Sequence, residues 1–351
     1  MKPEERGNLR DQEIGGAVDQ EFAMGGDPPV VSVLGASGYL GSVVTARLAQ
    51  LPIRLRAVSR RRSPVPEQAV AEVEVCTGDL TEPECLADVV AGADVIFHLG
   101  KHSGGWRDAD TPEGERVNVG IVRDLTEILG RRRPAQTAPL VVFAATTLQV
   151  GQPPKQPMNG SEPDRPETAY GRQKLTAERL LKAATAASVL RGVSLRLPTV
   201  FGQSSLSRVA DQGVVVTMAR RAIAGKPLTM WHDGTVRRDL VYVEDAADAF
   251  LAAMRYPAQL TGRHWLVGSG RPDTLGAVFR TVAGAVAAQT GEPAVPVISV
   301  RAPADAPVID FQSMQIDPMP FQRVSGWCAR TELADAVHRT VATLLDGSDR
   351  F

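Results

Sequence analysis

From Val30 onward the chain alternates short apolar, β-branched runs with stretches of helical period. The runs are Val30–Leu34, Ile53–Val58, Val73–Cys76, Asp94–His98, Leu140–Phe143 and Val193–Leu197. Between them, Leu40, Val44, Leu48 and Leu51 recur along one helical face, and helical segments are predicted over 114–130, ending at Gly130, and 166–189, opening at Pro166. Strand–helix alternation of this kind predicts an α/β fold with a doubly wound parallel sheet, helices on both faces and right-handed crossovers.

Past residue 200 the rhythm breaks into Gly- and Pro-punctuated pieces: 206–225 helical, 228–243 extended, 244–256 helical, 263–267 extended and 273–289 helical. The expected organisation is a polar, Gly-rich disordered leader over 1–28, a dinucleotide-binding domain over 29–200 to which 236–268 returns, and a smaller C-terminal substrate-binding lobe from 201–235 and 269–351.

Composition narrows the partners. Of 351 residues, 43% are hydrophobic, enough for a sizeable core. Lys plus Arg (39) nearly balance Asp plus Glu (40), so no basic field recruits nucleic acid or an anionic membrane. Cys76, Cys85 and Cys328 are odd in number and lack CxxC spacing, and the five histidines form no HxxxH or HExxH pattern, so neither a disulfide framework nor a metal site is expected. With no long apolar run and no signal-peptide core at Met1, a cytoplasmic location is expected.

The first chemistry lies after the first strand. Gly35, Ser37, Gly38, Tyr39, Leu40 and Gly41 form a GxxGxxG turn between a strand and an amphipathic helix, the setting in which such glycines bind a dinucleotide in a Rossmann-type sheet. Gly35 permits the tight turn, Gly38 lets backbone approach a pyrophosphate, and Gly41 allows the helix to pack close. At the end of the second strand, where a carboxylate would accept from the adenosine 2′-hydroxyl, the chain reads Ser59-Arg60-Arg61-Arg62. Guanidinium groups there suit a 2′-phosphate, so NADPH is expected rather than NADH. Asp79, followed by Leu80, can accept from the adenine amino group. The run His98-Leu99-Gly100-Lys101 ends the fourth strand beside the expected pyrophosphate and nicotinamide ribose.

The second chemistry is Tyr170-Gly-Arg-Gln-Lys174. At i and i+4 the two side chains share a helical face, which also carries Ala177, Leu181 and Ala184. A phenol titrates near pH 10, and an adjacent ammonium would lower that value and make Tyr170 a usable proton donor. Lys174 could also bind the nicotinamide ribose. The fifth strand leads into Phe143-Ala-Ala-Thr146-Thr147, at the carboxyl end where ligands bind in open α/β sheets. Thr146 is the expected hydroxyl that bonds a substrate carbonyl beside Tyr170, with Thr147 the alternative.

These motifs, with Leu195-Arg-Leu-Pro198-Thr199-Val-Phe-Gly202 and Arg237-Arg238-Asp239-Leu-Val-Tyr242-Val-Glu-Asp245, resemble the extended short-chain dehydrogenases/reductases acting on nucleotide sugars over about residues 30–345. More narrowly, Arg54-Leu-Arg-Ala-Val-Ser-Arg60, Glu115-Arg-Val-Asn118-Val-Gly120 and Pro227-Leu-Thr-Met-Trp231-His-Asp-Gly234 resemble TDP-4-keto-6-deoxyhexose 4-ketoreductases of antibiotic deoxysugar biosynthesis. The resemblance implies NADPH-dependent reduction of the C4 ketone of a TDP-linked 4-keto-6-deoxysugar, by a homodimer joined through two long helices. It also implies Thr146, Tyr170 and Lys174 as the catalytic set, Pro198 and Thr199 against the nicotinamide, and Arg238 on the nucleotide diphosphate. Arg238 could instead pair with Asp239 or Glu244. Asn118 either holds the active-site geometry or is a buried structural amide, and Arg301 is a loose positional candidate for a second arginine. Where relatives place Val-Tyr-Gly, this chain has Gln149-Val150-Gly151, which removes a polar group near the substrate.

A 4,6-dehydratase needs an acid and base, commonly an Asp-Glu pair directly after the catalytic threonine, whereas here Thr147-Leu148 follow. An NAD-dependent nucleotide-sugar 4-epimerase, a reductase of a non-nucleotide carbonyl and a non-catalytic dinucleotide-binding regulator are the alternative readings.

Overall fold

The computed structural model describes residues 27–131, 137–203, 209, 211, 213–231, 233–304 and 306–348. The expected leader (1–28) therefore lies almost wholly outside the described residues, as do Arg132–Pro134 and part of the 206–225 segment.

The apolar runs form strands β1 (Val30–Leu34), β2 (Arg54–Ser59), β3 (Glu72–Thr77), β4 (Val95–His98), β5 (Leu140–Thr146) and β6 (Arg191–Leu197). A later strand, β11 (His264–Leu266), joins them to complete a seven-stranded sheet of order β11-β6-β5-β4-β1-β2-β3. Every pairing in it is parallel. β1, β4 and β5 are buried along nearly their whole length, which is why their sequences run apolar without alternation.

The order reverses between β1 and β4, and that switch point opens a crevice at the carboxyl ends of both strands. One face is covered by α1 (Tyr39–Leu48) and α6 (Val243–Arg255), whose Phe250 ring lies 6.3 Å from that of Phe97 on β4. On the other face Leu86, Leu125 and Leu181 come from α2 (Pro83–Val90), α3 (Ile121–Gly130) and α4 (Ala169–Ala186).

Two helices depart from the pattern-based reading. The 114–130 segment is a short helix (Pro112–Glu115), a π-helical turn (Arg116–Gly120) and then α3. The segment opening at Pro166 becomes helical only at Ala169, because Thr168 is the N-cap and its hydroxyl accepts from the Gly171 N–H at 3.0 Å. Ala177, Leu181 and Ala184 are buried as expected.

The second half supplies short strands β7 (Thr199–Phe201), β8 (Leu228–Trp231), β9 (Arg237–Arg238), β10 (Leu240–Tyr242), β12 (Asp273–Thr274) and β13 (Val297–Val300). These pair as β7–β10, β9–β12 and β8–β13, outside the main sheet. Helices α5 (Val214–Ile223), α7 (Leu275–Thr290), α8 (Met319–Ser325) and α9 (Leu333–Ser348) complete the smaller lobe. Among the described residues no helix is long and apolar enough to cross a membrane.

Candidate active site

The turn after β1 has the shape its glycines imply. Gly35 adopts φ +94°, a left-handed conformation, and a Cβ on Gly41 would lie 2.0 Å from the Gly35 carbonyl oxygen. Gly38 is the N-cap of α1, with no side chain capping it and no acidic residue in the first turn. The free N–H groups and dipole of α1 thus face the switch-point crevice, a fit to a dinucleotide pyrophosphate. Ser37, Tyr39 and Leu40 are half-buried around this turn, and burial drives the Tyr39 phenol well above its ordinary value. Leu99 and Gly100 flank it half-buried, Lys101 is exposed, and Leu80 is buried.

At the end of β2 the Ser59 hydroxyl donates to the Arg61 carbonyl at 2.6 Å and lies 2.8 Å from that of Ser63. This closes a turn from which the Arg60 and Arg61 side chains project, exposed. After β3, Asp79 Oδ1 accepts from the Thr81 N–H (2.9 Å) and hydroxyl (2.8 Å), and these bonds hold its carboxyl below the usual range.

Thr146 ends β5 with 8% of its surface exposed, and its Oγ1 accepts from the Leu148 N–H at 3.3 Å. A hydroxyl that accepts one bond keeps its own proton to donate. Thr147 differs: its hydroxyl is directed to the Leu197 carbonyl (3.3 Å) and the Met314 sulfur (3.1 Å). Of the two threonines, Thr146 is the one with a hydrogen to offer.

Tyr170 lies in the first turn of α4, and Lys174 is 1% exposed one turn on. The Lys174 ammonium donates to the Ala144 carbonyl at 2.9 Å, sits 4.5 Å from the centroid of the Phe143 ring, and is 5.8 Å from that of Tyr170. The expectation that Lys174 lowers the Tyr170 phenol is corrected here. Burial raises Tyr170 above its ordinary value, and burial, reinforced by the charge of Lys101, pushes Lys174 down to about 7. The ammonium bonds the backbone and lies over the Phe143 ring, closer than it lies to the ring of Tyr170. His98 is buried behind this pair, edge-on to Phe143 at 5.5 Å, and burial takes its imidazole down to about 3.

Two polar networks behind the site were not read from the sequence. In the first, the Gln149 side chain accepts from the Thr146 N–H (3.1 Å) and donates to Glu178 (3.0 Å). Glu178 in turn takes two bonds from Arg196 and one from Lys182. Burial alone would raise the Glu178 carboxyl, but these cations outweigh it and hold it well below the usual range. In the second, Asn118 accepts from the His102 N–H (3.2 Å) and donates to Gln173 (2.8 Å), which donates to the Ala109 carbonyl (2.7 Å). Asn118 is thus a buried amide that also fixes the loop after β4 to the helix carrying Tyr170. A signal did exist: Gln173 and Glu178 flank Lys174 on its helix, where polar residues facing inward need partners.

Pro198 and Thr199 are half-buried where β6 passes into β7. Val150 is buried with Met158, Leu266 and Ile316 in a small apolar cluster, so an apolar residue there serves packing. Arg238 forms neither alternative ion pair. Its guanidinium donates to the carbonyls of Ile309 and Asp310, each at 3.0 Å, and to that of Gln312. Asp239 instead accepts from the N–H groups of Ser269 and Gly270, and Glu244 pairs with Arg47 and Arg339. Arg301 is exposed just past β13.

Comparison with known proteins agrees with this geometry. The model of the NAD dependent epimerase/dehydratase family matches residues 31–268. A 2-alkyl-3-oxoalkanoate reductase of Stenotrophomonas maltophilia (strain K279a) is 31% identical over 69% of this chain and 71% of its own. A UDP-glucose 4-epimerase of Azospirillum brasilense is 28% identical over 89% of this chain and 90% of its own. Among solved structures, MoeE5 in complex with UDP-glucose and NAD superposes with TM-score 0.73 at 26% identity, covering 91% of this chain and 99% of that one.

Proposed function

The chain belongs to the NAD dependent epimerase/dehydratase family, and from that premise we propose that it reduces the C4 ketone of a TDP-linked 4-keto-6-deoxyhexose to the alcohol with NADPH. The observation that carries net reduction over the family's other reactions is the exposed Arg60–Arg61 pair at the end of β2. Two guanidinium groups there suit the 2′-phosphate of NADPH, a reductant that arrives and leaves with each turnover, whereas an epimerase recycles a retained NAD. NADPH, when bound, supplies the hydride that C4 receives.

The chain's own residues handle the oxygen. Thr146 donates its hydroxyl proton in a hydrogen bond to the C4 carbonyl, polarising it and fixing it beside Tyr170. Tyr170 transfers its proton to that oxygen as the carbonyl becomes an alcohol, and regains one from solvent. A phenol raised by burial is held protonated, which favours the donor role over that of the base an alcohol oxidation needs. Thr147 and Leu148, following Thr146, supply neither acid nor base, so elimination of water has no agent there.

A second reading, reduction of a non-nucleotide 3-oxo compound, is favoured by the engagement of Arg238 with main-chain carbonyls and by the reductase relative. The deciding experiment gives the purified protein NADPH with a panel of TDP-4-keto-6-deoxysugars and, separately, 2-alkyl-3-oxoalkanoates. Loss of nicotinamide absorbance only with the sugars, and an NMR spectrum showing a new C4 alcohol, is the expected result; turnover only of the oxoalkanoates overturns it.

A further inference from the structure

Two arginines distant in sequence, Arg107 in the loop after β4 and Arg238 on β9, meet at one residue, Asp310. Arg107, in the loop after β4, places its terminal nitrogen 2.8 Å from Asp310 Oδ2 and packs its guanidinium 4.0 Å from the centroid of the Trp106 ring. Arg238, on β9, donates to the Asp310 backbone carbonyl and to those of Ile309 and Gln312. Among these three side chains, two positive charges face one negative.

The arrangement has the marks of a placeholder. Arg238 is half-buried, yet the partners of its guanidinium here are neutral carbonyl oxygens, a weaker match than an anion. The side chains of the Arg107–Asp310 pair are 54% and 23% exposed, so their contact is solvated and readily exchanged. The Arg107 loop is not free to drift: Asn118 and Gln173 tie it at His102 and Ala109 to the helix bearing Tyr170 and Lys174. Whatever Arg107 grips is held in register with the catalytic residues.

We propose that Arg107 is a second diphosphate-binding arginine, and that the Asp310 carboxylate occupies the anion site until a nucleoside diphosphate displaces it. The substrate's two phosphates then bridge Arg107 and Arg238, each guanidinium offering paired donors to phosphate oxygens, and Asp310 turns away from the added negative charge. This rests on the nucleotide-sugar reading of the site, and it gives the 308–312 segment a role in admitting substrate.

The test is isothermal titration of the full chain and its R107Q and D310N variants with TDP, inorganic pyrophosphate and NADPH. R107Q is expected to weaken TDP about tenfold, as loss of a charge-assisted bond does. D310N is expected to tighten TDP by roughly two- to fivefold, the scale of an exposed ion pair. NADPH affinity is expected to stay unchanged in both. The opposite signs are the point: a merely structural clasp weakens binding when either partner is removed. An unaltered TDP affinity in R107Q, or weaker binding in D310N, overturns the proposal while leaving the nucleotide-sugar reading intact. Pyrophosphate binding with these shifts, but no TDP binding to the parent chain, keeps the anion site and overturns the nucleotide reading. Binding of neither overturns both.

Discussion

Lys174 donates to the Ala144 carbonyl at 2.9 Å while the Tyr170 ring centroid lies 5.8 Å from its ammonium. The two side chains share a helical face, as their spacing requires, but a backbone oxygen at the end of β5 holds the lysine. Tyr170 therefore stands as a half-buried phenol that desolvation keeps protonated, while Thr146, at the end of β5, keeps a hydroxyl proton to donate.

Removing the Tyr170 hydroxyl removes the proposed proton donor without touching the glycine turn. Tyr170→Phe is expected to lower turnover by about 10²–10⁴-fold with NADPH affinity within about twofold of the parent. Thr146→Val is expected to cost about 10²-fold in kcat, and Thr146→Ser to restore most of it. Stopped-flow oxidation of NADPH and fluorescence titration measure the two quantities separately.

The Lys174 environment makes a statement about stability and pH. Burial lowers its folded value to about 7, below the ordinary 10.5, so between those limits the unfolded chain binds more protons. Stability from this group thus rises with pH from about 7 toward about 10.5, by as much as about 1.4 kcal/mol per unit, and its penalty is complete below about 7. Lys174→Met abolishes that term. Its advantage in urea denaturation over the parent is expected to be largest near pH 6 and to shrink as pH rises; a gap that does not change with pH refutes the assignment.

Arg60 and Arg61 are exposed at the end of β2, three strands from β5 in the sheet, so their replacement tests cofactor choice alone. The double variant Arg60→Ala/Arg61→Ala is expected to lower kcat/KM for NADPH about 30-fold while leaving that for NADH nearly unchanged. Equal losses with both cofactors would place the arginines outside the 2′-phosphate site.

Asn118→Leu keeps the volume but strands the His102 N–H and half of the Gln173 amide. It is expected to destabilise the protein by about 1–3 kcal/mol. Hydrogen exchange should speed up in the 101–111 loop and leave β1 and β4 as protected as before.

How much of this was legible beforehand depends on the range of the interaction. Burial on both faces leaves an unbroken apolar run, so the six strands from Val30 to Leu197 were readable, and the Gly35–Gly41 turn was readable because a Cβ on Gly41 would lie 2.0 Å from the Gly35 carbonyl oxygen, so only glycine fits. Among the later elements β13 was not read, since it pairs with the distant β8 and carries little period of its own, and α8 and the sixteen-residue α9 were not read either. The start of α4 at Ala169 turned on one hydroxyl, that of Thr168, binding one N–H.

The sequence by itself determined the parallel sheet, the dinucleotide turn and the shared face of Tyr170 and Lys174, because each follows from local period or from spacing along one element. Only the tertiary structure decided which threonine has a proton to give, what Lys174 bonds, how Gln149 reaches Glu178, and that Arg107 and Arg238 converge on Asp310. Those outcomes depend on burial and on pairings between residues as much as 203 positions apart, as Arg107 and Asp310 are. Desolvation and long-range hydrogen bonding act through space, and no pattern along the chain encodes the distance at which they act.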